Sequence, residues 1–133
     1  MDIVITFDGN KKVNAQYKGH IIRTDQAIDN GGDGTAPEPF ALFLASLGTC
    51  SGIYVKSFCD QRGIPTENIR LIQKMHYNPD KHRIDEISID IELPPDFPEK
   101  YKDAVINTAS LCAVKKVLMN PPEIKMNIVT AGA

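Results

Sequence analysis

The chain has 133 residues, a length that favours one domain and argues against an enzyme with separate cofactor and substrate domains. Hydrophobic residues make up 42% and charged residues 24% of it, which is typical of soluble globular proteins. Its formal net charge is -2 and it has no basic run, so we expect no nucleic-acid partner. We therefore predict a single domain over residues 1–133.

No secretory signal is visible at the N-terminus, and we expect no membrane span. Residues 1–4, Met-Asp-Ile-Val, lack a basic segment followed by an apolar one, so we expect a cytoplasmic protein. Residues 40–55 carry no charge, but they include polar side chains and are fewer than the roughly 20 apolar residues that a bilayer requires. This stretch predicts a buried helix and no membrane association.

The N-terminal third predicts an antiparallel meander followed by a loop. Residues 3–7, 13–17 and 20–23 are rich in strand-forming side chains, and glycine-containing turns separate them. Residues 29–39 are dominated by Gly, Asp and Pro, which excludes regular structure. A helix is predicted to begin directly after this loop.

A long central helix is predicted from about Pro39 to Arg62. Apolar residues recur there at helical spacing, and Gly63 followed by Pro65 gives a stop signal. One side of this helix has only small residues, a set we call the small-residue stripe: Ala41, Ala45, Gly48 and Gly52. Because an interior glycine costs roughly 1 kcal/mol in a helix, we expect a close packing partner on this side.

The remaining chain predicts a hairpin, two short helices and a last strand. Residues 68–77 and 87–93 alternate between apolar and polar side chains on either side of a turn. Residues 99–119 have helical character in two pieces that meet near Ser110, and residues 124–128 alternate again. The order βββ-α-ββ-αα-β indicates an α+β fold.

The three cysteines are the best candidates for chemistry. Cys59 lies half a helical turn away from Cys50, so we expect it to be an inert or partly exposed thiol near a helix end. Cys50 and Cys112 lie on separate predicted helices, where they are either small core residues or a redox pair. If Cys112 stands near a helix N-terminus, the helix dipole there would favour a thiolate.

Other chemistries have weaker support. His20, His76 and His82 show no metal-ligand spacing to the cysteines, so we expect no metal and no cofactor. A Cys-His-Asp nucleophilic site would depend on tertiary approach, which the sequence leaves open.

Two segments of the chain are distinctive when taken together. The first is the loop Gly31-Gly32-Asp33-Gly34, followed by Pro39 and the helical residues 42–50 that end in Cys50. The second is residues 111–114, Leu-Cys-Ala-Val, which contain Cys112. Together they resemble the OsmC/Ohr family, the osmotically inducible and organic-hydroperoxide-resistance proteins.

The resemblance implies an OsmC-like fold, with antiparallel sheets wrapped around central helices in an intertwined homodimer. It also implies that the small-residue stripe is where one helix approaches another. In peroxidase members the first cysteine attacks the peroxide and becomes a sulfenic acid, and the second condenses with it to a disulfide that an external dithiol reduces. By position these roles fall on Cys50 and Cys112, which we expect to lie close enough to bridge.

The sequence departs from the peroxidase pattern at Phe40. Hydroperoxide reductases of the family have a Glu at this position, paired with an Arg that activates the thiol. Whether Arg23 or Lys115 replaces that activation stays open, and Cys112 lacks the Pro that follows it in those enzymes. The chain is therefore similar to the OsmC-like branch.

Three functions remain open. The first is thiol-dependent reduction of organic hydroperoxides through Cys50 and Cys112. The second is a dimer with little or no peroxidase activity that binds a small hydrophobic ligand. The third is another thiol chemistry, such as acyl or alkyl transfer to Cys50. For peroxide or ligand we predict the same apolar binding residues: Phe40, Phe43, Leu47 and Tyr54.

Overall fold

The computed structural model describes residues 1–132, which contain five β-strands and three α-helices. In chain order they are β1 (Val4–Phe7), β2 (Val13–Tyr17), β3 (His20–Thr24), α1 (Pro39–Asp60), β4 (Arg70–Asn78), β5 (Arg83–Glu92), α2 (Lys102–Ala109) and α3 (Ala113–Met119). The chain divides into two compact units, residues 1–46 and the part from Leu47 onward. The α+β class is confirmed, whereas a single domain over residues 1–133 stays a prediction.

The first unit contains the predicted meander, a three-stranded antiparallel sheet in the order β1-β2-β3. The turn between β2 and β3 consists of Lys18 and Gly19, which have φ angles of 49° and 78°. Positive φ at both central residues is the requirement of the hairpin turn that matches strand twist. The turn thereby fixes Tyr17 opposite His20 and sets the register of the pair.

A buried carboxylate organises the loop that follows the sheet. Asp25 has no exposed surface, and it accepts hydrogen bonds from the backbone N–H groups of Gln26, Asp33 and Thr35 and from the Thr35 hydroxyl. The Thr35 hydroxyl and backbone bonds hold the pKa of Asp25 well below its usual range. The loop of residues 25–37 is therefore held in place by hydrogen bonds to one buried carboxylate.

Helix α1 confirms the long central helix that the sequence predicts. It starts at Pro39, where a missing N–H costs nothing, and it ends at Asp60, shortly before Gly63 with a φ of +66°. Its 22 residues satisfy, by length and composition alone, the criterion for a membrane span, which core helices of soluble proteins also satisfy.

The expectation that this helix is buried is wrong for most of its length. The buried residues are Ser51, Val55, Phe58 and Cys59, all in its C-terminal half. Phe40 is 57% exposed and Ile53 is also 57% exposed. The single chain does not provide enough apolar surface to cover both sides of so long a helix.

In the second unit, β4 and β5 form the predicted two-stranded antiparallel hairpin. One face of the hairpin carries ion pairs, namely Arg70–Glu92, Lys74–Asp90 and His76–Asp85. The other face contributes the partly buried Leu71 and Ile91 to the core. Side chains alternate along a strand, so the ion pairs and these core contacts lie on opposite faces.

The core of the second unit forms where α1 meets α2. The buried cluster comprises Val55, Phe58, Cys59, Phe97, Val105 and Ala109. The ring of Phe58 packs edge-on against Tyr101, with centroids 5.8 Å apart, and the Arg62 guanidinium lies 3.7 Å from the Phe58 centroid. This cluster fixes α2, and with it the start of the segment that carries Cys112.

The predicted last strand is wrong for the described chain. Residues 121–132 form no regular structure. Ile124, Met126 and Ile128 are 78%, 91% and 100% exposed. Their alternation fits a strand, but a strand requires a partner edge, and this segment pairs with none of the described residues.

Candidate functional site

Cys112 lies at the junction of α2 and α3, where it caps the N-terminus of α3. The backbone N–H of Lys115 donates a hydrogen bond to its Sγ over 3.5 Å. The residue has no exposed surface. The condition stated from the sequence, that Cys112 stands at a helix N-terminus, is therefore met.

The central helix brings Cys50 to the same place. The side chains of Cys50 and its neighbour Ser51 are both among the influences that lower the pKa of the Cys112 thiol. Cys50 is half-buried, whereas Ser51 is buried. The expectation that Cys50 and Cys112 lie near each other is confirmed.

Two opposing influences act on the Cys112 thiol. Burial raises its pKa, because a charge inside the protein loses hydration. Hydrogen bonds from the Lys115 N–H and from the side chains of Cys50 and Ser51 lower it, and together they outweigh burial, so the pKa lies below its ordinary value. A thiolate is the nucleophilic form of cysteine, so a lowered pKa favours thiol chemistry at this position.

Cys59 is excluded from this site by its position. It is fully buried in the core beside Phe58, so the expectation of partial exposure is wrong. Burial, and then the nearby charge of Asp60, raise the pKa of its thiol. The helix places Cys59 on the packed side, where the last turn of α1 meets α2, and a neutral buried thiol is inert.

The predicted apolar binding residues occupy both units. In the first unit the rings of Phe40 and Phe43 stack with centroids 5.5 Å apart, and both are exposed. In the second unit Leu47 and Tyr54 are half-buried. Their role in binding stays a prediction.

Lys115 is the charged candidate beside the Cys112 sulfur, to which it contributes its backbone N–H. No charged side chain is among the main influences on the Cys112 pKa. Within residues 1–132, no group of three or more His, Cys, Asp or Glu side chains is arranged to hold a metal ion.

A cleft of about 460 Å³ opens at the C-terminal end of α1 and contains no cysteine. Its walls include Arg62, Ile64, Asn68 and Phe97. The cysteine pair is therefore a separate feature from this cleft.

Ser51 is the site residue that sequence reasoning missed. A signal for it existed, because Ser51 precedes Val55 and Phe58 at four- and seven-residue spacing on the buried side of the helix. A buried hydroxyl requires a hydrogen-bond partner, and Ser51 is among the groups that lower the pKa of the Cys112 thiol.

Comparison with known proteins identifies the group to which the chain belongs. The family model described as OsmC-like protein matches residues 32–127. No curated protein matches the sequence significantly.

Three solved structures illustrate the likeness. A Psychrobacter arcticus protein described as an osmotic stress induced and detoxification response protein is 25% identical, with a TM-score of 0.70 over 86% of this chain and 85% of that one. An OsmC-like protein from Mycoplasma pneumoniae is 16% identical, with a TM-score of 0.65 over 90% and 87%. An organic hydroperoxide resistance protein OsmC from Legionella pneumophila is 14% identical, with a TM-score of 0.51 over 89% of both chains.

The family model covers the loop before α1, both cysteines and most of the exposed tail, and the matching structures cover most of the chain. The chain therefore belongs to the family of OsmC-like proteins.

Proposed function

We propose that this protein reduces organic hydroperoxides with Cys50 and Cys112 as a redox pair. The observation that carries the proposal is the proximity of Cys50 on α1 to Cys112 at the start of α3, where the surroundings lower the pKa of the Cys112 thiol. The family of the chain and the hydroperoxide-resistance name of the Legionella relative support this choice of substrate.

Cys50 is the sulfur that meets the peroxide, because it is half-buried whereas Cys112 has no exposed surface. The Cys50 sulfur attacks one peroxide oxygen, an S–O bond forms, the O–O bond breaks and the alkoxide leaves to become an alcohol. Cys112 then attacks the sulfenic acid on Cys50, an S–S bond forms and water leaves. An external dithiol reduces the disulfide and returns both thiols.

The active form is proposed to be a homodimer. Apolar side chains of α1 and of residues 121–132 are exposed in the single chain, including Ile53 at 57% and Ile128 at 100%. Such exposure on a small protein indicates a surface that a partner covers. A second copy would also bury the small-residue stripe.

Consumption of an organic hydroperoxide in the presence of a dithiol tests the activity. We expect turnover in the wild type and no turnover in Cys50→Ser. Cys112→Ser should turn over more slowly, because the sulfenic acid on Cys50 must then condense with the external dithiol instead of with Cys112. Cys59→Ser is the matched control, and it should retain turnover wherever it folds. Equal activity in Cys50→Ser and the wild type would contradict the proposal.

Binding of a small hydrophobic ligand is the second candidate, favoured by the exposed stack of Phe40 on Phe43. Phe40 stands where hydroperoxide reductases of the family carry a carboxylate, so this position offers an apolar contact instead of a charge. An environment-sensitive apolar dye would distinguish the two functions. Dye binding that Phe40→Ser weakens, together with no peroxide turnover in the wild type, would favour the ligand-binding function.

A further inference from the structure

The cleft at the C-terminal end of α1 has the size of a small-molecule site. Its volume of about 460 Å³ lies within the roughly 300–1,000 Å³ that is typical of such sites. Two segments form its walls, one that follows α1 within residues 62–68 and one that follows β5 within residues 94–98. Neither segment contains a cysteine, so the cleft is a candidate for a binding site of its own.

Backbone hydrogen bonds hold the walls of this cleft in place. The N–H of Ile64 donates to the Cys59 carbonyl over 2.9 Å, and the N–H of Phe97 donates to the Pro94 carbonyl over 3.0 Å. The Phe97 side chain is only 5% exposed and belongs to the core cluster, so it is a fixed apolar part of the wall. A ligand would therefore bind to a preformed surface, which keeps the entropic cost of ordering the protein small.

Arg62 is the cation of the cleft, and the fold has already positioned its guanidinium. This group lies 3.7 Å from the Phe58 ring centroid and 5.4 Å from the Tyr101 ring centroid. Its Nη1 donates to the Phe58 carbonyl over 3.0 Å. Arg62 forms no ion pair with any side chain in the described part of the chain. A guanidinium has five N–H donors, so Arg62 retains donors that match the two oxygens of a carboxylate.

Two carboxylate side chains, Glu67 and Asp96, line the same cleft. Neither of them forms an ion pair with a side chain of residues 1–132. Two acidic groups and one basic group would repel a ligand that is only anionic. A ligand that has an ammonium group as well as a carboxylate matches both signs of charge.

We propose that this cleft binds a small zwitterion, a molecule that carries a carboxylate and an ammonium group on an apolar body. Arg62 binds the carboxylate, whereas Glu67 and Asp96 bind the ammonium group. Ile64 and Phe97 contact the apolar body. A dipeptide with an apolar side chain has this chemistry. The site uses neither Cys50 nor Cys112, so it is a function additional to hydroperoxide reduction.

Titration of the full chain with the dipeptide alanyl-phenylalanine, followed by amide chemical shifts, tests the proposal without any peroxide. We expect saturable shifts at Gly63, Asn68 and Phe97, which lie in the walls. N-acetylation removes the ammonium charge of the dipeptide and C-amidation removes its carboxylate. Each change should weaken binding about tenfold or more, as expected when a hydrogen bond to a charged group is lost. The absence of saturable shifts up to about 10 mM, well above a weak Kd of about 1 mM, would overturn the proposal.

Variants of the charged residues assign the two ends of the ligand. In Arg62→Gln, C-amidation should no longer weaken binding, because the group that recognises the carboxylate is gone. In the double variant Glu67→Gln/Asp96→Asn, N-acetylation should likewise have no further effect. Glu99→Gln is the matched control, because Glu99 is an exposed carboxylate outside the walls of the cleft, and it should keep both wild-type differences. Undiminished effects of both ligand changes in these variants would overturn the proposal.

If Arg62→Gln does not fold, the wild-type comparison of the dipeptide with its amide still decides whether the carboxylate contributes. Equal binding of the dipeptide, its amide and its acetylated form would overturn the proposal, because apolar contact alone would then account for binding. The titration also separates this proposal from the proposed function. Dipeptide binding by a protein that leaves peroxide intact would contradict hydroperoxide reduction and support the zwitterion site.

Discussion

Adding a methyl group to the small-residue stripe of α1 should change the stability of the protein. Whether stability rises or falls depends on whether a second helix covers the stripe. In the single chain, a Cβ added at Gly52 would meet nothing within 4 Å outside its own helix. An interior glycine costs about 1 kcal/mol relative to alanine, so Gly52→Ala should stabilise an isolated chain by about that amount. In the proposed dimer a second helix packs on the stripe, and the added methyl should overpack the contact at a cost of about 1–3 kcal/mol.

We therefore expect Gly52→Ala to lower the stability of the assembled protein and to weaken the dimer. Urea unfolding at two protein concentrations measures the first effect, and sedimentation measures the second. Ser57→Ala on an exposed position of the same helix is the control, and it should leave the dimer intact. Gly48 is a less clean probe, because its added Cβ would already lie 2.6 Å from the Gln73 side-chain oxygen.

A gain of about 1 kcal/mol in Gly52→Ala at both concentrations would refute the reasoning, because it would show that no helix packs closely on this part of the stripe. An unchanged sedimentation profile in that variant would point the same way. The exposed apolar side chains of α1 would then need another explanation.

Three further predictions concern the loop and the core. Gly32→Ala would place a Cβ 2.0 Å from the Gln26 backbone oxygen, so we expect a loss of about 1–3 kcal/mol in urea unfolding, and unchanged stability would contradict this contact. The Asp25 pKa is lowered by folding, so its charge stabilises the fold above about pH 4 and the benefit is lost as pH falls toward the folded pKa. Asp25→Asn should therefore be less stable than the wild type at neutral pH and approach it in acid, and a gap that does not narrow would argue against a charge effect. Cys59 should resist alkylation until the protein unfolds, and rapid native-state labelling would show that its burial is wrong.

Much of the fold was predictable because local patterns specify it. Pro39 and Gly63 bracket the helix with residues suited to its two ends. The β4–β5 hairpin follows from the alternation of apolar and polar side chains, which is clearest at Ile87, Ile89 and Ile91. Both signals are contained within short stretches of sequence.

The errors arise where tertiary partners decide the outcome. Ile124 and Ile128 have a strand pattern, but no described edge pairs with them, so the pattern does not become a strand in a single chain. Cys59 is near a helix end, yet α2 covers it, which the sequence of α1 alone could not indicate. The burial of Asp25 similarly depends on a hydrogen bond from Thr35, ten residues further along the chain.

The candidate site was predicted in part. The pairing of Cys50 with Cys112 came from the family resemblance and is supported by their proximity. Ser51 was missed because its spacing to Val55 and Phe58 indicates burial only, and the influence of its side chain on the Cys112 thiol depends on the folded chain.

The central claim is that Cys50 and Cys112 form one redox pair, and its most direct test is mass spectrometry before and after one equivalent of an organic hydroperoxide. The account predicts that the chain loses two hydrogens and that digestion yields a peptide in which Cys50 is linked to Cys112. Cys59 should remain a thiol that alkylates after unfolding. A chain in which Cys50 and Cys112 both remain reduced, or in which Cys50 is oxidised and never links to Cys112, would contradict the account.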